Sequence, residues 1–469
     1  MPYASITFAQ ARTELANRLG DALKIYWTDA ELGLAIREGL RYWNCATLFW
    51  KNRFTFQSVS AQAWYDLTQQ PTTVIPYTVK DTEVISFLLF NVIEPQLLPV
   101  TFGYIGTDMF TINGIVGAVR RRRDQFLLET GMVTSRSLIT GPLPPQARVL
   151  IDESIIDVKR AAWVGVPGTT DPNAYGTRLY GKGLYGRGVF GTSSSYSTLW
   201  KTDEWAAESF RYGWANAPAS PPSGFSTAVG PPNTLVITPP PQASGQVELI
   251  TTNVGATLTS ASLGTLLGIP DDFTWVVRMG ALADLLGREG QSRDMQRAQY
   301  CEARWKEGIA LAGQFTSVVT AYLNGVQCFP QSIHSLDSYR PNWQNESGPC
   351  DAVGMMSWNL LALAPPPRVT IFSIMLDMVS NAPVPVNDGD FLQIGREDLD
   401  ALLDYCQHLC ALKEGGDEFM ATVPLYQSAV AQAKLRNSKI RQDVPFYSEL
   451  SDRATKQEVE QNPKEVEAG

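Results

Sequence analysis

Histidine is nearly absent from this chain: His334 and His408 are the two among 469 residues. Imidazole is the side chain that titrates closest to neutral pH, so histidine-based acid–base or nucleophilic catalysis has almost nowhere to reside. Cysteine is also scarce. Cys45, Cys301, Cys328, Cys350, Cys406 and Cys410 have neither the density of a disulfide scaffold nor the paired spacing of a zinc site, and they read as reduced, mostly buried thiols. Charged residues make up 18% of the chain, and the 38 basic ones are outnumbered by 47 acidic ones for a net charge of −9. General electrostatic capture of nucleic acid is thereby excluded, and any DNA contact has to be local. The longest nearly apolar stretch, Val84–Ile93, is interrupted by Ser86 and Asn91 and falls far below the roughly 20 residues that span a bilayer. Met1 to Ser5 has neither the basic start nor the apolar core of a secretory signal, so the expectation is synthesis in a cytoplasm-like compartment and no membrane insertion.

Catalytic motifs are missing as well. There is no Gly-x-Ser-x-Gly elbow and no His-Glu-x-x-His helix. Gly176-x4-Gly181-Lys182-Gly183 looks like a phosphate loop but lacks the Ser or Thr that would hold magnesium. Cys406-x-His408-x-Cys410 has ligand types, yet on a helix Cys406 and Cys410 share a face and His408 points elsewhere, so a buried core pair is expected. The expectation is a protein that is not an enzyme and uses no cofactor or metal.

What the chain does have is contact surface: 44% hydrophobic residues with 12 Trp, 17 Tyr, 19 Phe, 37 Gly and 30 Pro. Its length suggests several structural units. Thr7 can cap a helix carrying Phe8, Ala11, Leu15 and Leu19, and Thr28-Asp29-Ala30-Glu31 is a capping box ahead of Leu32, Ile36, Leu40 and Trp43. Phe54-Thr55-Phe56 reads as the strand leaving this helix pair. A further helix is expected from Ile112 to Leu128, carrying the basic run Arg120, Arg121, Arg122 and Arg123. Four consecutive helical residues fan around the axis, so the run divides between a DNA or partner contact and a solvated face paired with Asp124 and Glu129.

From about Gly165 the composition changes. Tyr175-Gly176, Tyr180-Gly181, Tyr185-Gly186 and Phe190-Gly191 repeat an aromatic-Gly pair every five residues, a period that matches neither helix nor strand. The charges there are Arg178, Lys182 and Arg187. We read an arm whose four aromatics make contacts and whose three cations meet acidic neighbours. Beyond it, Thr234–Ile237 and Val247–Ile250 suggest a hairpin through Ala243-Ser244-Gly245. Helical spacing returns at Trp275–Leu286, Ala298–Ala312, Glu397–Leu412 and Pro424–Leu435, with strands and loops over 326–395. The expected fold is α+β: two mainly helical halves (1–165 and 261–440) around a Pro/Gly-rich insertion (166–260) with its arm and hairpin, then a charged tail (441–469). Trp200, Trp205 and Trp214 leave open a sugar-stacking surface, although burial is the commoner use of Trp.

The N-terminal wording, Phe8-Ala-Gln-Ala-Arg-Thr-Glu-Leu15, Leu19-Gly-Asp21, Trp27-Thr-Asp-Ala-Glu-Leu32 and Ile36-Arg-Glu-Gly-Leu-Arg-Tyr-Trp43, resembles the opening helices of tailed-bacteriophage head-to-tail connector (adaptor) proteins. The basic helix from Arg120 to Thr130, the Tyr-Gly arm, Gly280–Leu286 and Arg297–Arg304 look like larger phage virion proteins with the same start. The resemblance implies a structural protein at the virion's head-tail junction, assembled in the host cytoplasm. Copies, commonly twelve, would form a ring beneath the portal protein, continue the channel through which double-stranded DNA passes, and offer a platform to tail proteins. A tail tube, nozzle or hub protein is the alternative within this class, and a polysaccharide-binding or polysaccharide-degrading tail module the alternative outside it.

Overall fold

Both N-terminal helices begin at their expected caps. Thr7 Oγ1 accepts from the Gln10 amide at 3.3 Å while Gln10 Oε1 accepts from the Thr7 amide at 2.9 Å, opening α1 (Phe8–Arg18). Thr28 and Glu31 close the same reciprocal box before α2 (Asp29–Thr47), which stops where Leu48 turns left-handed at φ 56°. The computed structural model describes residues 4–442 apart from 70–76, 93–109, 141–147, 165–195, 204, 207–208, 210–217, 219, 221, 229–232, 242–244, 289–292, 316–317, 329, 341–342, 347 and 369–372. Further helices are α3 (Asp81–Val92), α4 (Ile112–Thr130), α5 (Thr274–Leu286), α6 (Met295–Gln314), α7 (Ile333–Tyr339), α8 (Arg396–Ala411), α9 (Gly416–Ala421) and α10 (Val423–Gln442). With three sheets alongside them, the fold is α+β.

The two helical stretches, far apart in sequence, share one core. Phe8, Leu15, Trp43, Phe126, Trp275, Trp305, Leu402 and Tyr405 belong to a single buried cluster. The reason lies in α2: from Glu31 to Thr47 every residue but Arg37 is buried, so this helix needs neighbours on all sides. It packs against α8 and α10 from the C-terminal stretch and against α1. Arg18 of α1 reaches α8 as well, at 2.6 Å from Asp400 and 2.8 Å from Asp404.

At the centre of this core lies an ionic network. The fully buried Arg278 on α5 donates to the equally buried Glu38 of α2 at 2.6 Å and to Glu83 of α3 at 2.7 Å, and Arg41 donates to Glu83 at 2.6 Å. Burial opposes ionisation of Glu83, but Arg41 and Arg278 outweigh it and hold the carboxyl down at about 2.

The sheets flank this body. One four-stranded antiparallel sheet runs Lys51–Gln57, Ser373–Val379, Val318–Leu323, Val326–Cys328, and its first strand is the one expected to leave α2. A second runs Pro330–Ser332, Ala352–Met355, Leu360–Ala364, Trp64–Asp66. The third has seven strands, in the order Ser135–Thr140, Gln246–Asn253, Ile155–Val164, Tyr196–Lys201, Gly224–Ala228, Thr234–Thr238, Arg148–Leu150. Ile139 on one edge and Val149 on the other pack against the same cluster around Leu199, Phe225 and Leu249, so the sheet curls around its core. The expected hairpin between Thr234–Ile237 and Val247–Ile250 is corrected here. Those strands are not partners: the first pairs with Gly224–Ala228 and Arg148–Leu150, the second with Ser135–Thr140 and Ile155–Val164. Pro239, Pro240 and Pro241 follow the first strand directly and have no N–H to donate, so the strand cannot be extended through them as a ladder toward Val247.

Two buried groups make stability depend on pH in opposite senses. Burial, with Arg304 nearby, lowers His408 to about 3, so the folded protein keeps it neutral while the unfolded chain takes up a proton below its ordinary value. Its contribution is present above about pH 6.5 and is lost as pH falls. Burial raises Asp272 to about 7, where Asn44 Nδ2 and the Ala382 amide donate to its carboxyl. That contribution is present below about pH 4 and is lost as pH rises through 7. Each acts with a slope of about 1.4 kcal/mol per pH unit, so the two offset each other from about pH 6.5 to 4. In the Asp272→Asn variant we expect stability, followed by urea titration across that window, to fall more steeply toward acid than in the parent; an unchanged slope contradicts the assignment.

Candidate interaction surfaces

The arm starts and ends on neighbouring strands. Val164 pairs with Tyr196 at the end of an antiparallel ladder that runs back to Ala161 and Leu199, so segment 165–195 leaves and re-enters the seven-stranded sheet at adjacent positions. Tyr175, Tyr180, Tyr185, Phe190, Arg178, Lys182 and Arg187 all lie outside the described residues. The strands on either side of segment 165–195 are firmly held. Arg160, buried on the strand leading to the arm, donates to both carboxylate oxygens of Asp337 at 2.8 and 3.1 Å, to Thr198 Oγ1 at 2.8 Å and to Gln344 at 3.1 Å. Its guanidinium also lies 5.5 Å from the ring centre of Trp64. Trp343 donates its indole N–H to the same Asp337 and meets Trp64 edge to face at 5.7 Å. These contacts rivet the seven-stranded sheet to the smaller one.

On the return strand Leu199 faces the core, and Trp200 therefore faces the other side, 76% exposed; Trp205 is 88% exposed. Burial, the commoner use of Trp, does not hold for these two, and Trp214 lies outside the described residues. Leu138 on one edge strand and Leu150 on the other are exposed too. Exposed Trp is rare on a surface with no partner and is enriched at contact sites.

The arginine run divides by helix geometry. Arg120 and Arg121 of α4 are exposed, with Arg121 3.4 Å from Asp284. Arg122 turns toward α5 and α6, donating to Asp284 at 2.7 Å and to Glu302 at 2.9 Å while lying over the Trp305 ring at 5.1 Å. Arg123 is buried and donates to Asp124 and, at 2.5 Å, to the Ala256 carbonyl. The expectation of a DNA or partner contact is thus corrected for Arg122 and Arg123, whose donors are spent inside the fold. Asp124 is a partner as expected; Glu129 instead accepts from Gln125.

A second arginine has no sequence signal. Arg304 of α6 is buried with the rings of Tyr42, Trp275, Tyr405 and Tyr426 between 4.6 and 5.6 Å from its guanidinium, and it donates to the Tyr405 and Tyr426 hydroxyls at 2.7 and 2.8 Å. The cage joins α2, α5, α6, α8 and α10. His408, between Thr422 Oγ1 and the Tyr300 hydroxyl at 2.8 Å each, borders it. Cys406 and Cys410 are buried apart from His408's partners, as expected for a core pair: Cys406 donates to the Ala35 carbonyl. Burial pushes the Cys301 thiol up to about 12. A crevice of about 20 Å³ among Trp27, Leu34, Phe87, Phe90 and Leu409 has room for a single water.

Sequence reading also missed Leu23 and Ile25, two exposed aliphatic residues in the turn between α1 and α2. Composition could not reveal them, because the periodicity that marks a helix says nothing of the residues between two helices.

No helix among the described residues is long and apolar enough to cross a membrane. No protein-family model matches the chain, and no curated protein is similar to it.

The division of the arginine run has a direct test. Arg123→Ala removes a buried side chain together with its bonds to the Ala256 carbonyl and to Asp124 and should cost roughly 1–3 kcal/mol, whereas Arg120→Ala should stay within about 0.5 kcal/mol. Equal losses in chemical denaturation would contradict the division.

Proposed function

We propose that the chain is a structural virion protein of a tailed phage: a connector that forms a ring against the portal, continues the DNA conduit and carries tail components. The single observation behind the reading is the N-terminal helix pair, with its two capping boxes and the wording from Phe8 to Trp43 that resembles connector proteins. Three physical features favour it. Exposed Trp200 and Trp205 lie on and just after the strand that continues from the arm, and Leu138 is exposed on an edge strand of the same sheet, where a subunit would meet another protein. The arm is rooted on a sheet that Arg160 and Asp337 hold rigid, so that pulling on it would load the body of the subunit. The net charge of −9 suits a wall past which DNA moves without adhering. In this reading the arm aromatics Tyr175, Tyr180, Tyr185 and Phe190 grip a neighbour, and Arg178, Lys182 and Arg187 meet acidic groups on it. The protein then works without catalysis or cofactor, in the virion at the head-tail junction, with about twelve copies, the portal protein and tail or nozzle proteins as its partners.

Native mass spectrometry of the purified protein with portal should give a ring complex of defined mass; persistent monomers without portal binding would sink the reading. Deleting 172–195 should abolish that assembly while leaving the melting temperature within a few degrees of the parent. Assembly that survives the deletion would remove the arm from the account.

A further inference from the structure

The turn between α1 and α2 displays two large aliphatic side chains on a backbone that is already fixed. Leu23 is 81% exposed and Ile25 77%. The carboxylate of Asp21 accepts from three successive amides, Ile25 at 3.0 Å, Tyr26 at 2.8 Å and Trp27 at 2.9 Å, and these bonds hold its pKa below the usual carboxylate range. Between them Lys24 takes a left-handed φ of 54°, donates its amide to the Asp21 carbonyl at 2.8 Å and pairs its ammonium with Asp29 at 2.7 Å. The far end is pinned to the helical body: the Trp27 indole N–H donates to the Cys410 carbonyl, and Lys413 donates to the Tyr26 carbonyl at 2.7 Å and to Glu31 at 2.6 Å. A single exposed aliphatic residue is ordinary on a protein surface, whereas two in one short turn make a patch. This one presents Leu and Ile with the ordering entropy already spent, which favours docking.

Charge identifies the occupant. Around the turn, Lys24 and Lys413 are neutralised by Asp29 and Glu31, while the exposed Glu414, Asp417 and Glu418 begin just beyond Lys413. Burial, then Glu418, raises Glu414, as crowding of like charge requires. The rim is acidic. The same chain carries the opposite chemistry on α4, where Arg120 and Arg121 are exposed and the exposed Arg288 comes close to Gly114 in the first turn. Farther along that helix Leu128 is exposed as well. Arg121 pairs with Asp284 and Arg122 with Asp284 and Glu302, so that among the described residues Arg120 and Arg288 stand as the exposed cations of this face, with the exposed Glu129 at the far end of the helix.

We propose that the Leu23/Ile25 turn of one copy docks on the Arg120/Arg288 face of α4 in the next copy, a head-to-tail contact that uses two different surfaces of the chain. It rests on the ring reading and names the surfaces by which copies would meet. Two different patches generate a closed ring or an open chain instead of a two-fold pair.

The experiment uses the full chain and two double variants, Leu23→Glu with Ile25→Glu and Arg120→Glu with Arg288→Glu, each compared with the parent by sedimentation velocity and melting temperature. All four residues are exposed, so the melting temperature should hardly change. Each double variant alone should self-associate at least about 100-fold more weakly than the parent, because apolar anchors or complementary charge are replaced by repulsion. Mixed together, one variant still supplies an intact arginine face and the other an intact turn, so the mixture should form a one-to-one dimer that grows no further. Parent-like association of both variants, or a mixture that stays monomeric, overturns the contact. A parent that is monomeric alone yet binds portal also overturns it and leaves the connector reading standing; a parent that self-associates through these surfaces but ignores portal does the reverse.

Discussion

Arg278 is the constraint around which the helical body is arranged. A guanidinium with no solvent contact has to be matched by carboxylates inside the protein, and the two that match it come from different helices: Glu38 on α2 and Glu83 on α3. Removing one partner of such a pair leaves an unpaired buried charge, a loss of roughly 3–5 kcal/mol, whereas simple greasy contacts tolerate repacking. Three segments, around residues 38, 83 and 278, must therefore be in register before the interior is electrically satisfied. Arg304 is matched by Glu307 on its own helix, and through aromatic rings and hydroxyls it extends the requirement to α8 and α10.

The consequence for function is mechanical. The helix pair that resembles connector proteins is no detachable module at the N-terminus. Its second helix is the buried axis of the body, and its first is tied by Arg18 to α8 some four hundred residues away in sequence. The turn between the two helices is consequently held as rigidly as the core beneath it, and it is this rigidity that makes Leu23 and Ile25 usable as contact residues. On the other side, the sheet that roots the arm is fixed by Arg160 to Asp337 and by the Trp64–Trp343 pair. Contact surfaces at both places sit on elements that do not have to be ordered when a partner arrives.

Much of this was legible from residue order, and the part that was not has a common cause. Caps and periodicity are local, and Thr7, Thr28, the basic helix from Ile112 and the helices read at Trp275–Leu286, Ala298–Ala312 and Glu397–Leu412 all appear where spacing puts them. Pairings across long stretches are not local. The strand Thr234–Thr238 chose Gly224–Ala228 and Arg148–Leu150 over its near neighbour in sequence, and no propensity distinguishes these partners. The arginine run shows both sides of the matter: the fan around the helix axis was readable, but which arginine met Asp284, Glu302 or the Ala256 carbonyl depended on α5, α6 and the loop after the seven-stranded sheet. Trp200 escaped for the same reason, since only the pairing beside Leu199 says which face of the strand it takes.

The central claim is that the two ends of the chain form one cooperative body locked by Arg278. Native-state hydrogen exchange of the full-length protein tests it most directly, because amides that open only together exchange with one free energy. The account predicts that the amides of α2, α5 and α8 share the highest protection, and that Arg278→Met lowers all three by the same amount. Protection of α2 that is lost well before that of α5 and α8, or a variant that loosens α5 alone, would contradict it.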